Sequence, residues 1–510
     1  KSSASLPRPS ETNGTAVIGD RIMRAQRTGL LCLIAALTFM SADCAFAQKM
    51  FNRGPSPDVG RPIGPSGGGG FRGGGSGGPG WGAVVPGIIM TAPQGYPSNG
   101  PIIDDGPSGP RRSQQTNRRG ASGAPPANER RLVPDEVVIE LSNSTSTQQV
   151  DALQRRFNLT RIESQTFQLS NTTLYRWRIP DRRSVATVVR ALEGDRLVAS
   201  AQPNYLFALQ EDAGRSEGDP AQYEVAKLRL PQAHAIARGN NVLVAVIDSG
   251  IDVNHPELAG SVAESFDALA IPGSPHKHGT AIAGLIAAHA KLMGAAPDAK
   301  ILAVRAFDAK DAGAESTTFN ILKGMDWAAA HGARVINMSF AGPPDPAIHR
   351  ALEAAHRKGI VVVAAAGNAG AKAPPLYPAA DPTVIAVSAT DADDKLFEPS
   401  NRGRHITVAA PGAQILVAAP DSSYDVSSGT SYSAAEVSGI VALMIQRKPD
   451  LTPDQVRSIL RATAKDLGPK GPDVMFGAGL ADAYGALTAK STPLTATGPR
   501  PIERVSTGAR

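Results

Sequence analysis

From residue 242 to residue 387 short, unbroken apolar runs recur between longer stretches with helical spacing. The runs are Val242–Ile247, Ile301–Val304, Val335–Met338, Ile360–Ala365 and Val384–Val387; Ala281–Ala290, Ala314–His331 and Pro346–Lys358 carry the helical pattern. A strand that is apolar at every position has no face to offer water, so it must be covered on both sides, as in a parallel sheet sandwiched by helices. The expected fold is therefore three-layer α/β. Functional residues are expected just after the runs, because such sheets open their cleft at the carboxyl ends of the strands.

The rest of the 510 residues divides by composition. Much of the chain's Gly and Pro falls between 48 and 130, including Gly67–Gly70 and Gly73–Gly75, with too few apolar clusters to offset chain entropy. That stretch reads as a disordered basic linker. Residues 131–210 alternate short strand and helix patterns: Glu136–Leu141, Gln148–Phe157, Thr172–Ile179, Ser184–Glu193 and Val198–Phe207. One further short strand between Phe157 and Thr172 makes this a β-α-β-β-α-β, ferredoxin-like α+β domain. Residues 1–47 form a leader with its natural start at Met23: Arg24 and Arg27, an apolar core from Gly29 to Met40, then Ala45-Phe46-Ala47 before Gln48 suit an export signal. The core falls short of the roughly 20 residues that span a bilayer, so no stable membrane anchor is expected. Both cysteines, Cys32 and Cys44, lie in this leader, and the exported chain has no disulfide. The destination is periplasmic or extracellular. The net charge of +6 is scattered and forms no aromatic-interleaved stripe, which argues against nucleic acid. A main domain spans 218–490, and residues 491–510 form a loose polar tail.

Three residues after or between the runs carry chemistry. Asp248 ends the first run; alone, such a carboxylate is usually a loop cap. His278 opens the small-residue helix, with Gly279 allowing another backbone to approach; alone it is a cap, or a metal ligand together with His276. Ser431, in Ser428-Gly429-Thr430-Ser431, begins another small-residue helix, its hydroxyl expected to be exposed beside backbone N–H groups. Asp, His and Ser in that chain order match one of the known triad orders and no other.

At these motifs the chain resembles the subtilase family of serine proteases: Asp248-Ser249-Gly250 with His255-Pro256, His278-Gly279-Thr280 with Ala283-Gly284, Gly429-Thr430-Ser431, and Ala366-Gly367-Asn368-Ala369-Gly370. The similarity covers roughly residues 220–488. It implies a subtilisin-like catalytic domain and a serine endopeptidase that acts through an acyl-enzyme, with Asp248, His278 and Ser431 as triad and Asn368 donating to the oxyanion. It also implies that Ser339, Phe340 and Ala341 pair with protein or peptide substrates and wall the first specificity pocket. Leu376 stands at another pocket position where relatives carry a small residue; Phe340 and Leu376 read equally well as core. Domain 131–210 then resembles a propeptide that acts as intramolecular inhibitor of a zymogen, with self-cleavage expected between about Ala208 and Asp219. The residues after Ser431, Tyr432-Ser433-Ala434-Ala435-Glu436, depart from the family pattern. Lys291-Leu292-Met293 is too short and basic for the calcium loop of some relatives, so no cofactor is required. Only a weak calcium site, at Asp311 or at Asp391, Asp393 and Asp394, has oxygens to draw on. An adhesion protein on an inactive scaffold is the competing reading, favoured by the Gly-rich stretch and the altered residues after Ser431.

Overall fold

The computed structural model describes residues 122–142, 144–210, 222–310 and 313–489. The leader, the linker up to residue 121, Asp311 and the tail from residue 490 lie outside them.

The first domain runs β1 (Leu132–Leu141), α1 (Thr147–Arg156), β2 (Thr160–Phe167), β3 (Thr172–Arg178), α2 (Val185–Leu192) and β4 (Val198–Leu209). Ser146 starts α1 with a capping box through Gln149, and the Ser184 hydroxyl accepts from Thr187 N–H to start α2. The strands pair antiparallel in the order β2-β3-β1-β4, the ferredoxin-like arrangement. Strand periodicity sends Val137, Ile139 and Trp177 against the two helices and Val138 and Leu174 to the opposite face, where Phe207 joins them from the far end of β4, beyond a register shift. Residues 122–130, which composition assigns to the linker, belong to this domain: Ser122 and Gly123 bond the Glu193 carboxylate, and Ala124 packs on the core.

The second domain opens with two short helices, α3 (Tyr223–Lys227) and α4 (Leu230–His234), then β5 (Leu243–Asp248), β6 (Val262–Asp267), α5 (Lys277–Ala287) and β7 (Lys300–Arg305). A small pair, β8 (Asp308–Lys310) and β9 (Gly313–Thr317), leads into α6 (Thr318–Ala330), β10 (Val335–Met338), β11 (Phe340–Ala341) and α7 (Pro346–Arg357). The chain continues through β12 (Val361–Ala365), β13 (Ile385–Thr390), β14 (Ile406–Pro411), the hairpin β15 (Ile415–Ala419) and β16 (Ser423–Ser427), α8 (Thr430–Arg447), α9 (Pro453–Thr463) and α10 (Ala483–Thr488). Its main sheet has seven parallel strands in the order β14-β13-β12-β10-β5-β7-β6. Two boundaries differ from the sequence pattern. Helix α5 begins at Lys277, ahead of Ala281, because the His276 ring caps it. Residues 314–317, expected to be helical, form β9, and Thr317 caps α6 only after it.

Parity decides where the chemistry gathers. Val244 and Val246 of β5 face the core under α5 and α8, whereas Ala245 and Ile247 face α6 and α7. With a period of two, Asp248 emerges on the α5 and α8 face, the helices that carry His278 and Ser431.

The two domains share a sheet. Beyond its own partner β1, strand β4 pairs antiparallel with β9 on one edge (Leu206 with Thr317, Ala208 with Glu315) and with β11 on the other (Leu209 with Phe340). Gln202 and Asn204 of β4 also meet the starts of α7 and α6. The Gln202 carboxamide bonds Asp345 and Ala347 N–H, and Asn204 accepts from Phe319 N–H.

Candidate active site

The Asp248 carboxylate and the His278 ring are buried, and His278 Nδ1 lies 2.8 Å from Asp248 Oδ1. Ser249 braces the pair: its backbone N–H donates to the same Asp248 oxygen at 2.7 Å, and its hydroxyl accepts from Gly279 N–H at 3.1 Å. This close approach needs glycine, because a Cβ at Gly279 would stand 2.7 Å from the Ser249 carbonyl oxygen. The metal-pair alternative for His276 and His278 does not hold. His276 Nδ1 faces the Ser249 hydroxyl and accepts from His278 N–H, while His278 Nδ1 faces a carboxylate. Tyr432, in the altered stretch after Ser431, packs its ring 6.0 Å from the His278 ring and donates its hydroxyl to Ser427.

Ser431 lies in the first turn of α8, where backbone N–H groups have no partner within the helix. Its side chain is buried, not exposed as expected, because the end of β4 covers it: the hydroxyl is within hydrogen-bond reach of the Gln210 carbonyl oxygen and, at 3.0 Å, of the Ser339 carbonyl oxygen. Asn368 is fixed from one side only. Its Oδ1 accepts from Thr430 N–H (3.1 Å) and the Thr430 hydroxyl (2.9 Å), while Nδ2 is buried with no partner among the described residues. A buried, unpaired donor held beside a helix start is what a developing oxyanion requires.

Several contributors escaped the sequence reading. Asn337 accepts from the Ser438 hydroxyl and donates to the Ser339 hydroxyl, which donates to the Ser431 carbonyl, so one buried chain of bonds ties β10 to α8 at the candidate nucleophile. A polar residue inside the apolar Val335–Met338 run was the available signal. Thr430 and Ser249 stood in the sequence as motif neighbours of Ser431 and Asp248, with no role of their own assigned. Ser339, Phe340 and Ala341 do line the covering strand: Gln210 N–H donates to the Ser339 carbonyl at 3.3 Å, and Phe340 and Ala341 pair with Leu209 and Ala208. The choice between pocket and core dissolves for Phe340, which is fully buried, packs against Phe307 at a 42° tilt with ring centroids 4.9 Å apart, and meets Phe207 edge-on at 5.9 Å.

Two carboxylate sites bear on metals and pH. Glu257 accepts from the N–H groups of Ala290, Lys291 and Leu292 and from the Tyr424 hydroxyl. Burial works to raise its pKa, but these donors hold it below the usual glutamate value. Its oxygens are thus committed to N–H and O–H donors, with the Lys291 ammonium over the Tyr424 ring at 5.4 Å, a lining that does not suit a calcium ion. The weak-site candidates are likewise engaged. Asp394 takes Lys227 and Lys465, Asp391 accepts the N–H groups of Asp393 and Lys395, and Asp393 pairs with Lys395. Among the described residues no group of three or more His, Cys, Asp or Glu side chains could hold a metal. Elsewhere, Glu436 of α8 and Glu224 of α3 lie buried without a hydrogen bond of good geometry. Burial, with Glu224 nearby, holds the Glu436 carboxyl well above the ordinary value. Glu224 is pushed up to about 7 by burial, tempered by Gln222 and its own backbone N–H.

A parallel sheet that pairs a buried carboxylate with an imidazole and sets a helix-start serine under an extended peptide has the parts of an acyl-transfer hydrolase. The subtilase family model matches residues 239–479, and the model of the fervidolysin N-terminal prodomain matches residues 119–204. Thermitase of Thermoactinomyces vulgaris is 36% identical over 274 residues, which are 52% of this chain and 95% of that protein. Subtilisin E of Bacillus subtilis is 35% identical over 280 residues, 52% of this chain and 72% of that one. The crystal structure of fervidolysin from Fervidobacterium pennivorans, a keratinolytic enzyme related to subtilisin, matches with a TM-score of 0.61 at 24% identity. It covers 70% of this chain and 61% of that one, a likeness of fold. The chain belongs to the subtilase family: it is a subtilisin-like serine peptidase with an N-terminal prodomain.

Proposed function

We propose that the protein is an endopeptidase made as a self-processing zymogen, with Ser431 as nucleophile, His278 as general base and acid, Asp248 as its orienting carboxylate and Asn368 as oxyanion donor. The observation that carries this reading is the end of β4 lying in the cleft as a substrate would, with the Gln210 carbonyl against the Ser431 hydroxyl. A strand added to a sheet edge presents its backbone in fixed register. That register makes Gln210 the acyl residue and Gln210–Glu211 the bond to be cut, inside the expected window from Ala208 to Asp219.

The chemistry follows from the side chains. With Nδ1–H directed at Asp248, His278 Nε2 is the basic nitrogen. It takes the Ser431 proton as Oγ bonds to the acyl carbon; the C–O π pair moves to oxygen, which the Asn368 Nδ2–H and the start of α8 stabilise. Collapse breaks the C–N bond, and His278 returns the proton to the departing amine. Water then repeats the sequence on the acyl-enzyme, releasing Ser431 and a carboxylic acid. While the Ser431 hydroxyl is turned to the Gln210 and Ser339 carbonyls and Asn368 Nδ2 is unpaired, the tail occupies the cleft without the oxyanion contact, as an inhibitor would.

No cofactor enters this scheme, and export is part of the proposal, resting on the signal-like leader. No helix among the described residues is long and apolar enough to cross a membrane. The test is Ser431→Ala in the full chain. Casein hydrolysis should vanish and mass spectrometry should find the chain uncut, whereas the parent should yield a new N-terminus at Glu211. A Ser431→Ala protein that still hydrolyses casein, or cuts itself at the same bond, refutes the assignment.

A further inference from the structure

The conformation of Gln210 says more than where the chain is cut. Its backbone N–H donates to the Ser339 carbonyl on one side, and its side chain meets Asn368 on the other. Its carboxamide turns back along the cleft: Oε1 accepts from Asn368 N–H at 3.0 Å, and Nε2 donates to the carbonyls of Ala208 (3.0 Å) and Leu209 (3.2 Å). The acceptor and both donor hydrogens of one carboxamide are thereby used. Leu376 packs beside the second of these segments. It is 2% exposed, and its Cδ1 lies 2.9 Å from where a Cβ on Gly367 would stand. The next residue, Tyr377, is clamped to Gly342 by reciprocal backbone bonds of 2.8 and 3.1 Å.

We infer that this enzyme prefers glutamine as the acyl residue of the bond it cuts and disfavours aromatic residues there, with Leu376 setting the preference by filling the space a large ring would need. The inference rests on the proposed catalytic reading and deepens it. Glutamine satisfies Asn368 N–H through Oε1 and orders itself through Nε2. Glutamate keeps the acceptor but turns a carboxylate oxygen toward two carbonyl oxygens. Methionine has the length and no strong acceptor, so Asn368 N–H goes unpaired when the cleft closes. A site that reads a polar group penalises analogues lacking it far more than a hydrophobic pocket penalises a missing methylene.

The test uses the processed enzyme and four fluorogenic peptides, acetyl-Phe-Ala-Leu-X-aminomethylcoumarin, with X as Gln, Glu, Met or Phe. The first three residues repeat Phe207, Ala208 and Leu209, so only the acyl position varies. The expected kcat/KM for Gln exceeds that for each of the other three by about tenfold or more. In Leu376→Gly the Phe to Gln ratio should rise by at least about tenfold; Leu376→Ala, a milder opening, should move the ratio the same way if the glycine variant folds poorly. A parent that cuts Phe as well as Gln overturns the preference while leaving the catalytic reading standing. A ratio unchanged in both variants overturns the role of Leu376. Cleavage of none of the four, with no fluorophosphonate labelling of Ser431, sinks the catalytic reading and the preference together.

Discussion

The two domains bury their sheets in opposite ways. The catalytic domain covers both faces of its parallel sheet with its own helices, so Val244, Ala245, Val246 and Ile247 are all buried among residues of that domain. The prodomain covers one face with α1 and α2; Val138, Leu174, Tyr205 and Phe207 on the other side join the core beneath α6 and α7. A small antiparallel sheet with one unprotected apolar face is marginal by itself. Released from its partner, the prodomain would expose Phe167, Phe207 and Tyr205 to water; the catalytic domain would uncover part of Phe319 and Phe340 and lose an edge strand and a lid over Ser431, but its own helices would still cover both faces of its parallel sheet. That asymmetry suits a disposable inhibitor: the part to be discarded depends on the part that is kept.

The strongest challenge to this contrast is Phe207→Ala. Phe207 is fully buried between Phe340 and Gly342, and truncating such a ring costs about 3–5 kcal/mol, which loosens the cut prodomain by roughly a hundredfold or more. The dissociation constant of the processed complex, measured in the Phe207→Ala chain, should rise accordingly; an unchanged value would mean that the shared apolar face does not hold the domains together. Asn368→Ala probes the other side of the contrast. It removes Nδ2 but keeps the backbone N–H that meets Gln210, so kcat should fall on the order of 10²–10³ with prodomain affinity barely altered. A parallel loss of affinity would show that Asn368 supports docking as well as chemistry.

A smaller effect separates the domains by pH. Glu436 and Glu224 lie in the catalytic domain, with Tyr223 and Asp391 as their charged or titratable neighbours. Their carboxyls are raised in the fold, so the folded state binds more protons than the unfolded one and stability falls as pH rises. The contribution is complete below about 4.5, the unfolded value, and for Glu224 is lost as pH climbs through about 7. Thermal unfolding of the Ser431→Ala chain, which cannot digest itself, should show its catalytic transition dropping between pH 6 and 9. Glu436→Gln needs no proton, so its stability should fall less steeply than the parent's as pH rises toward 9. Equal pH slopes with and without the substitution would dismiss the pair. The smallest effect expected is that of a chelator. Because Glu257 is committed to Ala290, Lys291, Leu292 and Tyr424, EDTA at fixed ionic strength should leave the inactivation half-life within about twofold, and a large drop reversed by calcium would reveal a structural ion.

Much of this molecule could be read from its residues because the signals are local. Continuous apolar runs dictated a sheet covered on both faces, the end of the first run placed Asp248 where such a sheet opens its cleft, and Asp248, His278 and Ser431 follow one another in an informative order. Gly279 was legible as a point of close approach for the same reason. What the tertiary structure alone decided depends on partners far away in the chain. Residues 314–317 carry a helical pattern and become part of a strand because β4 supplies hydrogen bonds to its edge. Ser431 looks exposed by its position at a helix start, yet Gln210 buries it. Leu376 reads from the sequence as pocket or core alike, and its seat against Gly367, beside the clamp from Tyr377 to Gly342, comes from the fold. Periodicity reports which face a side chain takes, but not which distant segment arrives to meet it, since that choice is settled by the packing of the whole fold.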